Sequence, residues 1–402
     1  MEIAFFTDSY EPIRDGVASV TSGLARTVAR LGHTVRVVTS SVDVGAPSHD
    51  EVVDGVTVRR LRSVPVPLYG QYRWAVFPFS LLRGRNGIRD ADVVHLHTPG
   101  PIGSMGFLTA RRFGRPLVGT FHTNISEMRE SVPQKWLVPL FFRIAWWYNL
   151  GTYYRCDVAT APSGSARDTL VRSARKPFRR PVEIVPNGID VDRFRPGDRV
   201  PDWRTRCGLP NVPLLTYLGR LTVDKGVHRF LDTVARVAAT DDVAAIVGGI
   251  GPEEAAVRAR IAGDPVLRTR VRYVGPVAEV EKAALLGQTD LFVLPSTSDT
   301  SSVALLEAMA CGAAVIAPAQ GGAAEVVEEG VTGRRVDVLS PDRLATAVRE
   351  LVGDSESRRH LAAEGSRWAR QHASLESMAR RFISLYQMVA EEKRSHGGRT
   401  PF

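Results

Sequence analysis

The 402-residue sequence predicts an α/β fold of two doubly wound, mostly parallel sheets, forming two domains in series that face each other across a cleft. Three observations carry that expectation. Short apolar runs alternate with segments of helical period, and this alternation requires parallel strands joined by crossover helices. It occurs twice, with RFRPGDRVPDWRTRCGLPNVP (193–213) between the two runs, a stretch rich in Pro and charge and without a sustained period. The chain is also long for a single core.

The first alternation begins with a strand at 3–8. Asp15 and Gly16 form a turn, and a helix follows on Val17, Val20, Leu24, Val28 and Leu31, stopping at Gly32. HTVRVVTS (33–40) is a strand. VTVRRLR (56–62) is another, paired with 51–53 across the hairpin signal Asp54-Gly55. After a Pro- and aromatic-rich loop, strands at 92–98, 116–123, 157–163 and 182–188 alternate with helices at 102–113, 133–154 and 164–174.

The second alternation places strands at 214–220, 243–249, 271–275, 291–296 and 313–318, with helices at 225–239, 252–262, 279–287 and 303–310. From Pro341 the pattern is helical to about Glu391, and KRSHGGRTPF reads as a frayed tail. The expected domains are therefore 1–197 and 213–375, a linker at 198–212, and a terminal helix within 376–402 that packs back on the first domain.

Composition narrows the function classes. Hydrophobic residues make up 44% and charged residues 24% of the chain, ordinary for a globular protein. The longest apolar runs fall short of the roughly 20 residues a membrane span needs. Met1 leads directly into a strand, without a basic leader or small-residue cleavage site, so a cytoplasmic location is expected. Cys156, Cys207 and Cys311 are widely spaced and form no C-x-x-C pair, which argues against a disulfide framework or zinc site.

The net charge is +9, and residues 111–180 hold 13 Lys and Arg against 4 Asp and Glu. A local basic surface of this kind fits nucleic acid, anionic lipid or a phosphorylated substrate. No helix-turn-helix or aromatic-basic sheet motif supports nucleic acid. The segment 133–154 sets Trp136, Leu137, Leu140, Phe141, Phe142, Trp146, Trp147 and Tyr148 beside Lys135 and Arg143. It reads either as a surface touching anionic lipid or as a core helix with aromatics at its edge.

Chemistry is expected in the loops after the strands, where a parallel sheet opens toward its ligand. The stretch 291–327 reads as strand, loop, helix and strand, with Asp299 and Glu307 at the two ends of the loop-to-helix segment. Carboxylates accept hydrogen bonds from sugar and ribose hydroxyls. Glu307 lies in the apolar run VALLEAMACG, so it is expected to be buried and to need a partner. In GRLTVDKG (219–226), Arg220 offers a planar fork and Lys225 a point charge, a pair able to grip one diphosphate. GGIGP (248–252) reads as a turn where glycines permit close approach by a ligand, with Pro252 at the first helical position; it lacks the G-x-G-x-x-G spacing.

His95 and His97 share one strand face, either as a metal pair lacking a third ligand or as hydrogen-bonded structural groups. His122, at a strand end, is the candidate catalytic-site group of the first half. Neither G-x-S-x-G nor GxxxxGK[ST] occurs, which weakens hydrolase and NTPase readings.

In their order along the chain, DSYEPIRDGVASV, GHTVRVVTS, VVHLHTPGPIG, GTFHT, VPNGID, GRLTVDKG, GGIGPE, LFVLPS and DTSSVALLEAMACGAAVIAP resemble the retaining GT-B glycosyltransferases of family 4. The resemblance covers nearly the whole chain. Within that family, the opening loop and the FHT strand look most like enzymes that glycosylate membrane lipids, such as phosphatidylinositol mannosyltransferases and glycosyl-diacylglycerol synthases. It implies a GT-B fold of two Rossmann-like domains, the first binding the acceptor and the second the nucleotide sugar. Arg220 and Lys225 then look like the pair holding the donor diphosphate, and Glu307 like the acid that holds the ribose hydroxyls. Asp299 takes the place of the family's Glu facing the transferred sugar. His122 looks like the histidine that contacts the sugar, and Gly16 like the glycine whose backbone lies against the donor phosphate or the acceptor. Gly249, Gly251, Val274, Ser302 and Val303 complete the implied donor-binding set.

Departures fall where the sugar is read. Asp299 is one methylene shorter than the usual Glu, and Ser301-Ser302 replaces the common Phe-Gly. The implied reaction is hexosyl transfer from GDP-mannose or a UDP-hexose to an acceptor hydroxyl. The departing diphosphate takes the acceptor's proton, and neither a cofactor nor a metal is required. The acceptor is a membrane lipid headgroup, with the enzyme peripheral at the inner membrane face, or a soluble cyclitol or secondary-metabolite aglycone. A sugar-nucleotide epimerase and a catalytically silent sugar-nucleotide-binding module are the alternatives of other classes.

Overall fold

The computed structural model describes residues 1–13, 15–43, 46–66, 69–76, 88–122, 138–197 and 201–395. The chain divides into two compact units: Met1–Gly188 with Leu375–Phe402, and Ile189–Ser374.

Unit 1 contains β1 (Glu2–Phe6), α1 (Gly16–Arg30), β2 (Thr34–Ser40), β3 (His49–Val53), β4 (Val56–Leu61), β5 (Ser63–Val66), β6 (Tyr69–Ala75), β7 (Val93–Leu96), α2 (Pro101–Arg112), β8 (Leu117–Thr120), α3 (Val138–Tyr154), β9 (Val158–Ala161), α4 (Gly164–Arg172) and β10 (Glu183–Ile184). Among the described residues its main sheet runs β10-β9-β8-β7-β1-β2-β4-β3. All pairings are parallel except β3 with β4, the hairpin across Asp54-Gly55. The order reverses beside β1, as in a doubly wound sheet, and puts the ends of β1 and β7 next to each other.

Unit 2 contains α5 (Trp203–Cys207), β11 (Leu214–Leu218), α6 (Val227–Val237), β12 (Ala244–Gly248), α7 (Glu254–Gly263), α8 (Pro265–Arg270), β13 (Val271–Gly275), α9 (Glu279–Gly287), β14 (Leu291–Val293), α10 (Val303–Ala310), β15 (Ala314–Pro318), β16 (Arg334–Val336), α11 (Pro341–Gly353) and α12 (Ser355–His372). Its described strands run β13-β12-β11-β14-β15-β16, all parallel. The last helix, α13 (Leu375–Ser395), belongs to unit 1.

β11 and β12 are buried along their length, and their side chains are apolar but for Thr216 and the Tyr217 hydroxyl. In α6, Val227, Phe230, Leu231, Val234 and Val237 recur at helical spacing and are buried, each side chain worth about 1.5–3 kcal/mol.

Several elements differ from the sequence expectations. α1 starts at Gly16 itself, because the Asp15 carboxylate accepts from Ala18 N at 2.7 Å and caps the helix. The Pro- and aromatic-rich loop contains the antiparallel pair β5–β6, with Pro65 beside a register shift. α7 starts at Glu254, so Pro252 lies in the turn before it, and α8 follows on an Asp264 cap with Pro265 first.

The stretch expected as a linker contains α5, capped by Asp202. Arg204 bonds Asp290 at 2.7 Å and Gln288 accepts from Trp203 N at 2.9 Å, which makes this segment part of unit 2. Residues 198–200 and the tail 396–402 lie outside the described residues. The continuous helical pattern from Pro341 is α11, α12 and α13, separated where Asp354 caps α12 and where Ala373–Ser374 leave helical geometry.

Candidate active site

In unit 2 the site is built on the loops after β11 and β14. The β11 loop is fixed by backbone contacts on both sides. Gly219 N donates to Gly248 O at 3.1 Å and Leu221 N to Ile250 O at 2.9 Å. On the other side Thr297 N donates to Asp224 O at 2.9 Å. Gly226 has φ +75°, and a Cβ there would stand 2.1 Å from Pro295 O.

This bracing sets Lys225 of the β11 loop against Asp299 of the β14 loop. The Lys225 ammonium donates to Asp299 Oδ1 at 2.9 Å and also to the Ser298 carbonyl. The second oxygen, Asp299 Oδ2, is buried and has no hydrogen-bond partner among the described residues. Arg220 lies on the same loop, where its carbonyl accepts from Tyr217 Oη at 2.7 Å. Burial, then the Asp299 and Asp224 carboxylates, holds the Tyr217 phenol well above its ordinary range.

The glycines of GGIGP pack against the backbone of the β11 loop. Gly249 has φ +134°, and a Cβ on it would meet Gly219 O at 1.8 Å; one on Gly251 would meet Leu221 O at 2.3 Å. The close approach is to the neighbouring loop's backbone, so these residues hold Arg220 and Lys225 in place from behind. Val274 is partly buried in β13, its Cγ2 within 3.7 Å of where a Cβ on Gly248 would stand.

Ser302 is the N-cap of α10, its hydroxyl accepting from Leu305 N at 3.4 Å, and Val303 is the buried first residue of that helix. Glu307 faces inward from the second turn, 1% exposed. The partner its burial demands is Lys282 on α9, whose Nζ lies 3.2 Å from both carboxylate oxygens and 2.6 Å from Glu279. Burial raises the Glu307 carboxyl above its usual range against the pull of Lys282. Burial would lower the Lys282 ammonium, yet Glu307 and Glu279 outweigh it and hold the group above its usual value. The sequence offered only a Glu279–Lys282 pair at i, i+3 as a signal for this residue.

In unit 1, Gly16 is an exposed residue at the start of α1, and His122 is buried just past β8. His97 Nδ1 lies 3.1 Å from His122 Nε2. His95 bonds Tyr386 Oη and Thr120 Oγ1, each at 2.7 Å. The structural reading of His95 therefore holds, and no metal-holding cluster of His, Cys, Asp and Glu occurs among the described residues. Burial lowers His122 to about 4 and keeps His95 and His97 well below the ordinary range.

Asp8, past the end of β1, was not singled out by the sequence. It accepts from Ile102 N in the first turn of α2 and from Thr98 Oγ1 in the loop before it, and desolvation raises its carboxyl to about 6 against those bonds.

A cavity of about 660 Å³ lies at the opposite, amino ends of the unit 2 strands, by Arg204, Asp290 and Arg358. Arg204 there is already bonded to Asp290 and to the Val212 carbonyl, so the pocket walls satisfy themselves.

Two doubly wound units, the second with Arg220, Lys225 and the buried Glu307 on elements that follow its strands, make up a GT-B architecture. Residues 14–193 match the family described as Glycosyltransferase Family 4, and residues 212–354 match Glycosyl transferases group 1. A GDP-mannose-dependent alpha-mannosyltransferase of Mycolicibacterium smegmatis is 31% identical over 372 residues, covering 92% of this chain and 93% of that protein. A D-inositol 3-phosphate glycosyltransferase of Geodermatophilus obscurus is 28% identical, over 92% of this chain and 84% of that one. The structure of sucrose-phosphate synthase from Thermosynechococcus elongatus superposes with a TM-score of 0.77 at 21% identity, over 97% and 99% of the two chains, which establishes the shared fold.

The chain belongs to glycosyltransferase family 4, and it is a hexosyltransferase that uses a nucleotide sugar. This sets aside the epimerase and silent-module alternatives. No helix among the described residues is long and apolar enough to cross a membrane.

Proposed function

We propose that the enzyme transfers a hexosyl group, with retention of anomeric configuration, from a nucleotide diphosphate sugar to an acceptor hydroxyl. GDP-mannose is the favoured donor and a UDP-hexose the second class. The preference for GDP-mannose draws on two relatives named GDP-mannose-dependent alpha-mannosyltransferase, 31% and 29% identical over 92% and 91% of this chain.

The observation that carries the mechanistic reading is the loop braced between Gly249 and Pro295, which sets Lys225 against Asp299. In the proposal Arg220 and Lys225 grip the donor diphosphate, with Gly16, Gly249, Gly251, Val274, Ser302 and Val303 lining the donor. Glu307, paired with Lys282, accepts from the ribose hydroxyls. Asp299 faces the sugar, and the unused acceptor capacity of its Oδ2 suits a sugar hydroxyl. As the anomeric carbon–phosphate oxygen bond breaks, charge grows on the diphosphate, where two preorganised cations stabilise it. The acceptor oxygen bonds the same face of the anomeric carbon while the departing phosphate oxygen takes its proton. His122 contacts the sugar.

The proposed acceptor is a membrane lipid headgroup. Ile144, Trp147 and Tyr148 on α3, at i, i+3 and i+4, are 58%, 65% and 43% exposed beside exposed Arg143, an apolar strip with a basic flank. Trp146, one residue away, packs inward on Phe121. Lys135, Trp136 and Leu137 lie outside the described residues, as do the side chains of Leu140, Phe141 and Phe142. A soluble phosphorylated cyclitol is the second reading, supported by the relatives named D-inositol 3-phosphate glycosyltransferase.

The test is a donor panel with and without lipid extract or inositol phosphates, scored for nucleotide release, product and anomeric configuration. Turnover is expected to fall at least about a hundredfold in Arg220→Ala and in Lys225→Ala. Because side-chain cations carry the charge in this scheme, EDTA is expected to leave turnover unchanged. Near-normal turnover in both variants overturns the site assignment.

A further inference from the structure

The contact between His97 and His122 constrains where both rings carry their protons. Burial keeps each neutral at pH 7, with one ring proton apiece. At 3.1 Å, one of His97 Nδ1 and His122 Nε2 donates and the other accepts. If His122 donated, the His97 proton would sit on its Nε2, which is buried and has no hydrogen-bond partner among the described residues. An orphaned N–H is rarer in folded proteins than an orphaned acceptor, so the opposite polarity is favoured.

We propose that His97 donates from Nδ1 to His122 Nε2 and thereby fixes His122 as the Nδ1–H tautomer. The inference rests on the reading of His122 as an active-site group. Both His122 nitrogens are then committed: Nε2 has spent its lone pair, and Nδ1 carries the proton. The ring can donate a hydrogen bond to an oxygen, but it cannot take a proton from the acceptor hydroxyl. His97 is accordingly a positioning residue.

His97 is itself held in place. Its ring lies on that of His95, 3.9 Å between centroids, and Phe5 approaches it at 4.7 Å. His95 is clamped by Tyr386 from α13 and by Thr120, whose hydroxyl lies 2.7 Å from Thr160 Oγ1. The terminal helix of the chain thus reaches His122 through two imidazoles.

The experiment is ¹⁵N NMR of the full-length enzyme labelled at histidine, with His122→Asn to assign the ring signals. The wild type is expected to show His122 protonated at Nδ1 and bare at Nε2. His97→Phe, which removes the donor, is expected to release that tautomer and lower kcat about tenfold, with donor KM changed far less. His97→Asn, which restores a donor near the Nδ1 position, is expected to recover the Nδ1–H pattern and most of the lost turnover.

A wild-type His122 protonated at Nε2 overturns the proposal even if His97→Phe does not fold, and so does a pattern indifferent to His97→Phe. A tautomer that follows His97 while kcat stays constant instead overturns the placement of His122 at the active site.

Discussion

The Lys282 ammonium lies 3.2 Å from each carboxylate oxygen of Glu307, on adjacent helices α9 and α10, and Glu307 is 1% exposed. A carboxylate so buried keeps its charge only with such a partner. Glu307 already titrates above its usual range, and removing Lys282 moves it further up. In Lys282→Met, the acid is therefore expected to be protonated below that raised value. Donor KM should rise about tenfold or more and decline with increasing pH, as the carboxylate form is favoured. Lys282→Arg should restore the wild-type KM. Donor KM measured from pH 6 to 9 checks this; a pH-independent KM in the Met variant would remove Lys282 from the donor site.

The three buried histidines make unit 1 sensitive to acid. Their folded pKa values lie below the unfolded value of 6.5, so the folded state binds fewer protons. Stability is then fully present above about pH 6.5 and is lost as pH falls through the folded values. For His122, depressed to about 4, the loss amounts to about 3 kcal/mol. Urea unfolding between pH 7 and pH 4.5 is expected to show a shallower decline in His122→Asn. Parallel curves would mean that His122 does not take up its proton on unfolding.

Gly249→Ala is expected to destabilise unit 2 by about 2–3 kcal/mol, since it combines a disfavoured φ with a steric clash. The new Cβ would stand 1.8 Å from Gly219 O. Gly263→Ala, at the end of α7 with open space around it, is the control. It is expected to be neutral or to stabilise by up to about 1 kcal/mol. Thermal unfolding separates the two, and because Gly249 supports the Arg220–Lys225 loop, turnover should fall with it.

Membrane contact through α3 depends on side chains that face outward. Wild-type enzyme is expected to sediment with anionic vesicles at low salt, and an Ile144→Ser, Trp147→Ser double variant to bind them at least about tenfold more weakly. Failure of the wild type to sediment would remove the lipid-surface reading and leave the soluble acceptor.

The double alternation of strand and helix is legible in the sequence, because periodicity and turn chemistry act over neighbouring residues. The sequence also located Arg220, Lys225, Asp299 and Glu307 in loops and helix starts after strands, since each motif is a short contiguous string. It even required a partner for Glu307, from the apolar helix around it. It could not name that partner. Lys282 meets Glu307 only because β14 lies beside β15 and α9 beside α10, and strand order leaves no mark on local spacing. The same reason hid the pairing of Lys225 with Asp299, the use of Gly249 and Gly251 to brace a neighbouring backbone, and the reach of Tyr386 to His95 across 291 residues of sequence. The segment around Trp203 read as a linker because five helical residues carry too little period, and only its bonds to Gln288 and Asp290 made it part of unit 2. Local physics wrote the elements and the chemical groups; side-chain contacts between distant segments decided which groups act together.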